Sequence, residues 1–153
     1  MPDGTGQRHV RMPEQAQFQY AILRVVPDVE RGERLNAGIV LLCRPQRYLA
    51  ARIDLDVRLL LDMAPAADLG RIRAHLELLP RLCAGDADAG PLALMDQAER
   101  FHWIASPSST MVQPSAVHTG LTTDAAATLD GLMARLVDRT AAGRSAPDPH
   151  ADT

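Results

Sequence analysis

Three short apolar segments lie close together near the start of the chain, and they constrain the fold more than any other feature. They are residues 18–26 (FQYAILRVV), 36–43 (NAGIVLLC) and 47–53 (RYLAARI). Each is too short for a good amphipathic helix, and their β-branched and aromatic residues favour strands. Because turn-forming residues such as Pro27, Gly32 and Pro45 separate them, the pattern predicts an antiparallel meander. The second segment is continuously apolar and is therefore expected at the centre of the sheet.

Helical periodicity follows these segments. A short helix is predicted over residues 55–63, and Asp68 is suited to cap a longer one in which apolar residues recur at helical spacing. Gly85 is suited to end that helix. Pro80 lies inside the pattern and is expected to kink or break it.

The second half of the chain contains weaker signals. Residues 92–103 begin as a helix, and residues 110–113 are predicted to return to the sheet as a fourth strand. Thr123 or Asp124 is expected to cap a final amphipathic helix. Together these elements predict an α+β domain, in which an antiparallel sheet of three to four strands has helices packed mainly on one face.

The length of 153 residues suits one domain, which we place at residues 17–139. The polar segments 1–16 and 140–153 are predicted to be a disordered arm and a disordered tail. The arm lacks the apolar region of a signal peptide, and no apolar run approaches membrane-spanning length. We therefore expect a cytoplasmic protein without membrane contact.

Composition disfavours several kinds of function. The chain contains no lysine, which excludes lysine-dependent phosphate loops and Schiff-base chemistry. Its net charge of −3 and few aromatic residues make nucleic acid a poor partner. Cys43 and Cys83 lack CxxC spacing and are interpreted as buried apolar residues. No histidine pair has the spacing of a zinc motif, so neither a metal nor a cofactor is expected.

Residues 99–120 (ERFHWIASPSSTMVQPSAVHTG) concentrate polar and aromatic side chains in one connecting segment, which favours a functional site. Trp103 is the single tryptophan, and we expect it to be largely buried as an anchor for this segment. His102 and His118 are weak candidates for acid–base catalysis, and for His102, between Phe101 and Trp103, packing or one local hydrogen bond is a sufficient explanation. The serine and threonine residues here are interpreted as a turn and a helix cap.

Charged residues flank the first predicted hairpin, and they either bind an anionic ligand or are solvated strand charges. Together with the connecting segment, they complete the set of candidate binding residues: Arg24, Arg31, Glu33, Asn36, Arg100, Trp103, Gln113, Ser115, His118 and Thr119.

Residues 20–43 and 99–122 resemble the bacterial family catalogued as domain of unknown function 3037, which is common in actinobacteria. The likeness extends over about residues 17–138. The resemblance implies no established activity, but members of the family are often encoded beside a HipA-like kinase, which implies a shared pathway or a complex with that kinase. The family pattern falls on Tyr20, Arg24, Pro27, Arg31, Gly32, Glu33, Asn36, Gly38, Glu99, Arg100, Phe101, Trp103, Ser109, Thr110, Gln113, Ser115, His118, Thr119 and Gly120. Ser108 occupies a position where members carry arginine.

Two hypotheses follow. The first is an accessory or interaction protein that binds a HipA-like kinase through the hairpin and residues 100–120. The second is a small enzyme acting on a phosphorylated or nucleotide-like ligand, with His118 as acid or base and Arg24 and Arg100 holding the anion. The enzyme requires these three side chains to line one pocket.

Overall fold

The first three apolar segments form the strands that their composition predicts. A computed structural model describes residues 14–140 of the chain. In it β1 (Ala16–Val25), β2 (Leu35–Cys43) and β3 (Tyr48–Ile53) pair as an antiparallel meander. β2 lies between the other two and is buried at every position except the half-buried Asn36, which confirms its central placement. The predicted arm and tail lie almost wholly outside the described residues.

Two further strands occupy the other side of β1. β4 (Val112–Pro114) pairs with the end of β1, and β5 (His118–Thr122) pairs with its beginning, both antiparallel. The predicted fourth strand is therefore confirmed, but the sheet has five strands rather than three to four. Sequence patterning missed β5 because this edge strand is mostly exposed, so it lacks the apolar alternation of a half-buried strand.

Four helices complete the described part of the chain. Their bounds are α1 (Val57–Met63), α2 (Leu69–Ala84), α3 (Gln97–Ile104) and α4 (Ala125–Leu136). The carboxylates of Asp68 and Asp124 accept hydrogen bonds from the first turns of α2 and α4, so both predicted caps are confirmed. Gly85 ends α2 with a φ of 76°, as expected for a C-terminal glycine.

Pro80 does not break α2, so of the two outcomes that the sequence predicts, a kink or a break, the break is not found. The helix continues from Leu69 to Ala84 with Pro80 inside it. Apolar side chains on both sides of the proline are buried against the sheet, including Leu76, Leu79 and Leu82. This packing retains the helix although the proline removes one backbone donor.

The sheet lies between two helical layers. On one side, which we call the α2 face, Leu23 and Val25 pack in a core with α1, α2 and α3. On the opposite side, the α4 face, Phe18 and Ile22 pack against α4. The α+β class is confirmed, with three of the four helices on one face. No helix in residues 14–140 is long and apolar enough to cross a membrane.

Candidate functional site

Trp103 lies on the exposed side of α3, with 64% of its surface accessible. The expectation that it is largely buried is therefore wrong. Arg100, Phe101 and Ile104 form the buried stripe of this helix. At 3.6 residues per turn, Trp103 is rotated about 200° from Phe101 and points away from the core.

Trp103 borders a groove between α2, α3 and β4. The groove begins in an apolar depression of about 220 Å³ beside Pro91 and Met95. A second depression of about 190 Å³ shares Leu92 and Trp103 with it as walls. That depression shares His75 and Val112 with a third of about 320 Å³, which reaches Arg71. We call these three neighbouring depressions the Trp103 groove. Their apolar walls include Leu78, Leu79, Leu82, Leu92, Ile104 and Pro114.

The two ends of the Trp103 groove differ in chemistry. The end near Met95 is almost wholly apolar, with Leu94 on the adjoining surface 73% exposed. The other end carries His75 and Arg71. Burial lowers the pKa of His75, so this imidazole is neutral at pH 7 and the charge at this end comes from Arg71. Among residues 14–140, Arg71 has no ion-pair partner.

Arg100 is buried and supports α2 from the neighbouring helix. Its Nη1 donates to the carbonyl oxygens of Leu82 and Cys83, at 3.0 and 2.8 Å. These carbonyls belong to the last turn of α2, where backbone acceptors lack partners within the helix and a cation is favourable. Burial raises the pKa of the Cys83 thiol to about 12, although the charge of Arg100 partly opposes that rise.

Arg24, Asn36 and Gln113 lie side by side on the α4 face, on three adjacent strands. Arg24 Nε donates to Asn36 Oδ1 at 3.3 Å, and Asn36 Nδ2 donates to the carbonyl oxygen of Leu136 at 3.1 Å. The second bond attaches the end of α4 to the sheet. Burial, together with the nearby charge of Arg34, lowers the pKa of Arg24.

His118 lies on the same face as Arg24, and its ring stacks on Tyr20 with a centroid distance of 5.1 Å. Arg100 lies on the α2 face, on the far side of the sheet. The three side chains required by the enzyme hypothesis therefore do not line one pocket. His102 is exposed on α3 with its ring edge against Phe101, and Thr119 is exposed on β5.

Ser115 lies buried between β4 and β5 and completes the sheet. Its backbone N–H donates to the carbonyl oxygen of Ile22, and its Oγ accepts from the N–H of Ile22, both at 2.8 Å. Residues 115–117 stand opposite only two residues of β1, which is the geometry of a bulge. The Ser115 hydroxyl thus replaces a backbone acceptor that the bulge displaces.

Arg31 and Glu33 lie in the loop between β1 and β2 and pair with each other at 2.6 Å. Both are exposed and border a surface cleft of about 550 Å³ between this loop and the loop after α1. Asp28 organises the loop by accepting bonds from the backbone N–H groups of Glu30 and Arg31. The charged side chains of Asp28, Arg31 and Glu33 thus have local structural partners in this loop.

The candidate residues do not assemble a metal site. Within residues 14–140, no three of the histidine, cysteine, aspartate and glutamate side chains are grouped so as to hold a metal ion. His102 belongs to α3 on the α2 face, whereas His118 stacks on Tyr20 on the α4 face.

Comparison with known protein families shows which family the chain matches. The model of the family described as "Protein of unknown function (DUF3037)" matches residues 20–137. The chain belongs to this family. No curated protein and no solved structure matches it. The lining of the Trp103 groove lies wholly inside the part of the chain that the DUF3037 model covers.

The sequence predicts only one wall of the Trp103 groove. Trp103 is among the candidate binding residues, but the α2 residues that line the opposite wall are not. Its signal is present in the sequence, because Leu78 extends the apolar stripe of α2 beyond the buried residues that cover the sheet. An apolar face wider than its own core requires indicates a second contact.

Proposed function

We propose that this DUF3037 protein is a cytoplasmic accessory protein that binds another protein through the Trp103 groove. The partner that we propose is a HipA-like kinase, which the family resemblance implies. The exposure of Trp103 at the border of an apolar groove carries this proposal.

The physical argument concerns where a small domain places its few aromatic side chains. This chain has one tryptophan, and an indole in the core would stabilise the fold more than an exposed one. Here the indole instead lines an apolar depression with Met95, which is 39% exposed. Tryptophan is enriched among residues that dominate binding energy, because a large rigid ring is desolvated at low entropic cost. Contiguous exposed apolar surface is typical of interaction sites.

The distribution of the polar candidates favours binding over catalysis. Arg100 caps α2, Ser115 completes the sheet and Asn36 holds the end of α4, so each has a structural role. With Arg100 on the far side of the sheet from His118, the anion-binding arrangement of the enzyme hypothesis is not formed.

Co-purification tests the proposal. The full chain would be co-expressed with a HipA-like kinase from the same organism, and the complex measured by affinity capture and size-exclusion chromatography with light scattering. We expect a stoichiometric complex that Trp103→Ala weakens at least tenfold, because truncating a central tryptophan commonly costs about 2 kcal/mol or more. Leu121→Ala is the matched control, since Leu121 is 63% exposed but lies on β5.

Three results would contradict parts of this proposal. A complex that tolerates Trp103→Ala would remove the groove as the binding surface. Equal losses with Leu121→Ala would indicate a nonspecific effect of removing surface apolar groups. No association with the kinase would refute that partner.

A further inference from the structure

We infer that the Trp103 groove binds a short extended segment of a protein partner, in which a large apolar side chain and a carboxylate lie three to five residues apart. This inference rests on the proposed function and specifies the chemistry of the partner. It follows from the size of the apolar depression, the single charge that lines the groove, and the separation between them.

The middle depression of the groove has room for one large apolar side chain. The depression beneath Trp103 measures about 190 Å³ and is walled by Leu79, Leu82 and Ile104. For comparison, an apolar cavity of about 150 Å³ holds a benzene molecule. A phenylalanine, leucine or tryptophan side chain therefore fits, with Trp103 available to cover it from the solvent side.

The charge of Arg71, at the end of the groove far from Met95, determines which charge the bound segment must carry. Arg71 is the only charged residue among those that line the three depressions. Its guanidinium has no ion-pair partner within residues 14–140, whereas the nearby His75 is kept neutral by burial. A carboxylate that reached Arg71 would form the two-pronged contact for which a guanidinium is suited. Acidic, rather than basic or neutral, segments are thus complementary to this end.

The separation between Arg71 and the middle depression sets the spacing in the partner. Arg71 precedes Leu79 by eight residues and Leu82 by eleven on the same helix. With a rise of 1.5 Å per residue, these positions are about 12–16 Å apart. An extended chain covers about 3.3 Å per residue, and the length of the arginine side chain shortens the gap. The apolar anchor and the carboxylate are therefore three to five residues apart.

A protein segment fits these features better than nucleic acid. One arginine in a chain with a net charge of −3 offers too little positive charge for a phosphate backbone. The apolar walls instead match a side chain that is buried on binding.

Selection from a random peptide library tests the inference for any partner that carries such a segment. The full chain would be immobilised, and a phage-displayed library of random 12-residue peptides selected against it. Enriched peptides would then be synthesised, and their binding measured by fluorescence anisotropy at low and high salt. We expect them to share an aromatic residue or leucine with Asp or Glu three to five residues away.

Variants of the protein show which groove residue binds each end of the peptide. Trp103→Ala should weaken binding at least tenfold. Arg71→Gln should weaken it about three- to tenfold and reduce its dependence on salt, because one charge pair is lost. Arg73→Gln is the matched control, since Arg73 is an exposed arginine on the same helix that does not line the groove, and it should change affinity less than twofold.

The outcomes separate this inference from the proposed function. No enrichment, enriched peptides without an acidic residue, or equal binding by wild type and Arg71→Gln would each overturn the inference. If the kinase complex still depended on Trp103 in those cases, the proposed function would stand. If peptides bound as expected but the kinase did not associate, the inference would stand and the kinase would be the wrong partner.

Discussion

Arg100 should be a stability residue, and replacing it with methionine tests this directly. Methionine retains much of the apolar chain but removes the two bonds from Nη1 to the carbonyl oxygens of Leu82 and Cys83. Hydrogen bonds to a charged group contribute about 1.5–3 kcal/mol each in mutational series. The same substitution also removes the buried Nε, which has no partner among the described residues and costs about 1–3 kcal/mol.

The difference between these effects predicts that Arg100→Met lowers the free energy of unfolding by about 2–3 kcal/mol. Arg100→Lys should lose about 1–2 kcal/mol, because a lysine retains the charge near the end of α2 but has a different geometry. Urea denaturation of the full chain at pH 7, followed by circular dichroism, measures both. Arg73→Met is the control, since Arg73 is exposed on the same helix and should stay within about 0.5 kcal/mol of wild type.

One result would refute this reasoning. If Arg100→Met were as stable as wild type and as Arg73→Met, the contacts to α2 would contribute nothing. A loss confined to stability, with an unchanged affinity for the selected peptides, supports the structural role.

Three further predictions concern stability. Gly38→Ala should lower the free energy of unfolding by about 1–3 kcal/mol, because the added Cβ would lie 2.5 Å from the carbonyl oxygen of Arg52. Gly131→Ala in α4 should instead raise it by up to about 1 kcal/mol, because a Cβ there meets no atom within 4 Å. Urea denaturation measures the sign and size of both changes. Burial raises the Cys83 pKa from 9.0 to about 12, so the folded state favours the protonated thiol and stability should fall as pH rises from 9 toward 12. Cys83→Ala should reduce this dependence of stability on pH. An unchanged dependence in the variant would contradict the assignment to Cys83. Trp103→Ala should lower the free energy of unfolding by less than about 1 kcal/mol, because the indole is exposed. For the same reason, the fluorescence of the wild-type indole should be red-shifted and readily quenched, and blue-shifted emission would mean that Trp103 is buried.

Local patterns in the sequence determined the three strands of the meander and most helix ends. The three apolar segments of the meander and the capping positions Asp68, Gly85 and Asp124 were predictable because they depend on contacts within a few residues. The α+β class followed from their order. The exposure of Trp103 could also have been predicted from a local pattern. Asp96 caps α3, and from there the helical period places Phe101 and Ile104, not Trp103, toward the core.

The tertiary structure alone decided what the polar candidates do. Arg100 reaches carbonyl oxygens 17 and 18 residues earlier, Ser115 bonds Ile22 across 93 residues, and Asn36 bonds Leu136 across 100. Sequence patterns describe neighbours along the chain, so they cannot tell a ligand-binding arginine from one that caps a distant helix. The Trp103 groove has the same origin, because it exists only where α2, α3 and β4 are brought together by the core beneath them.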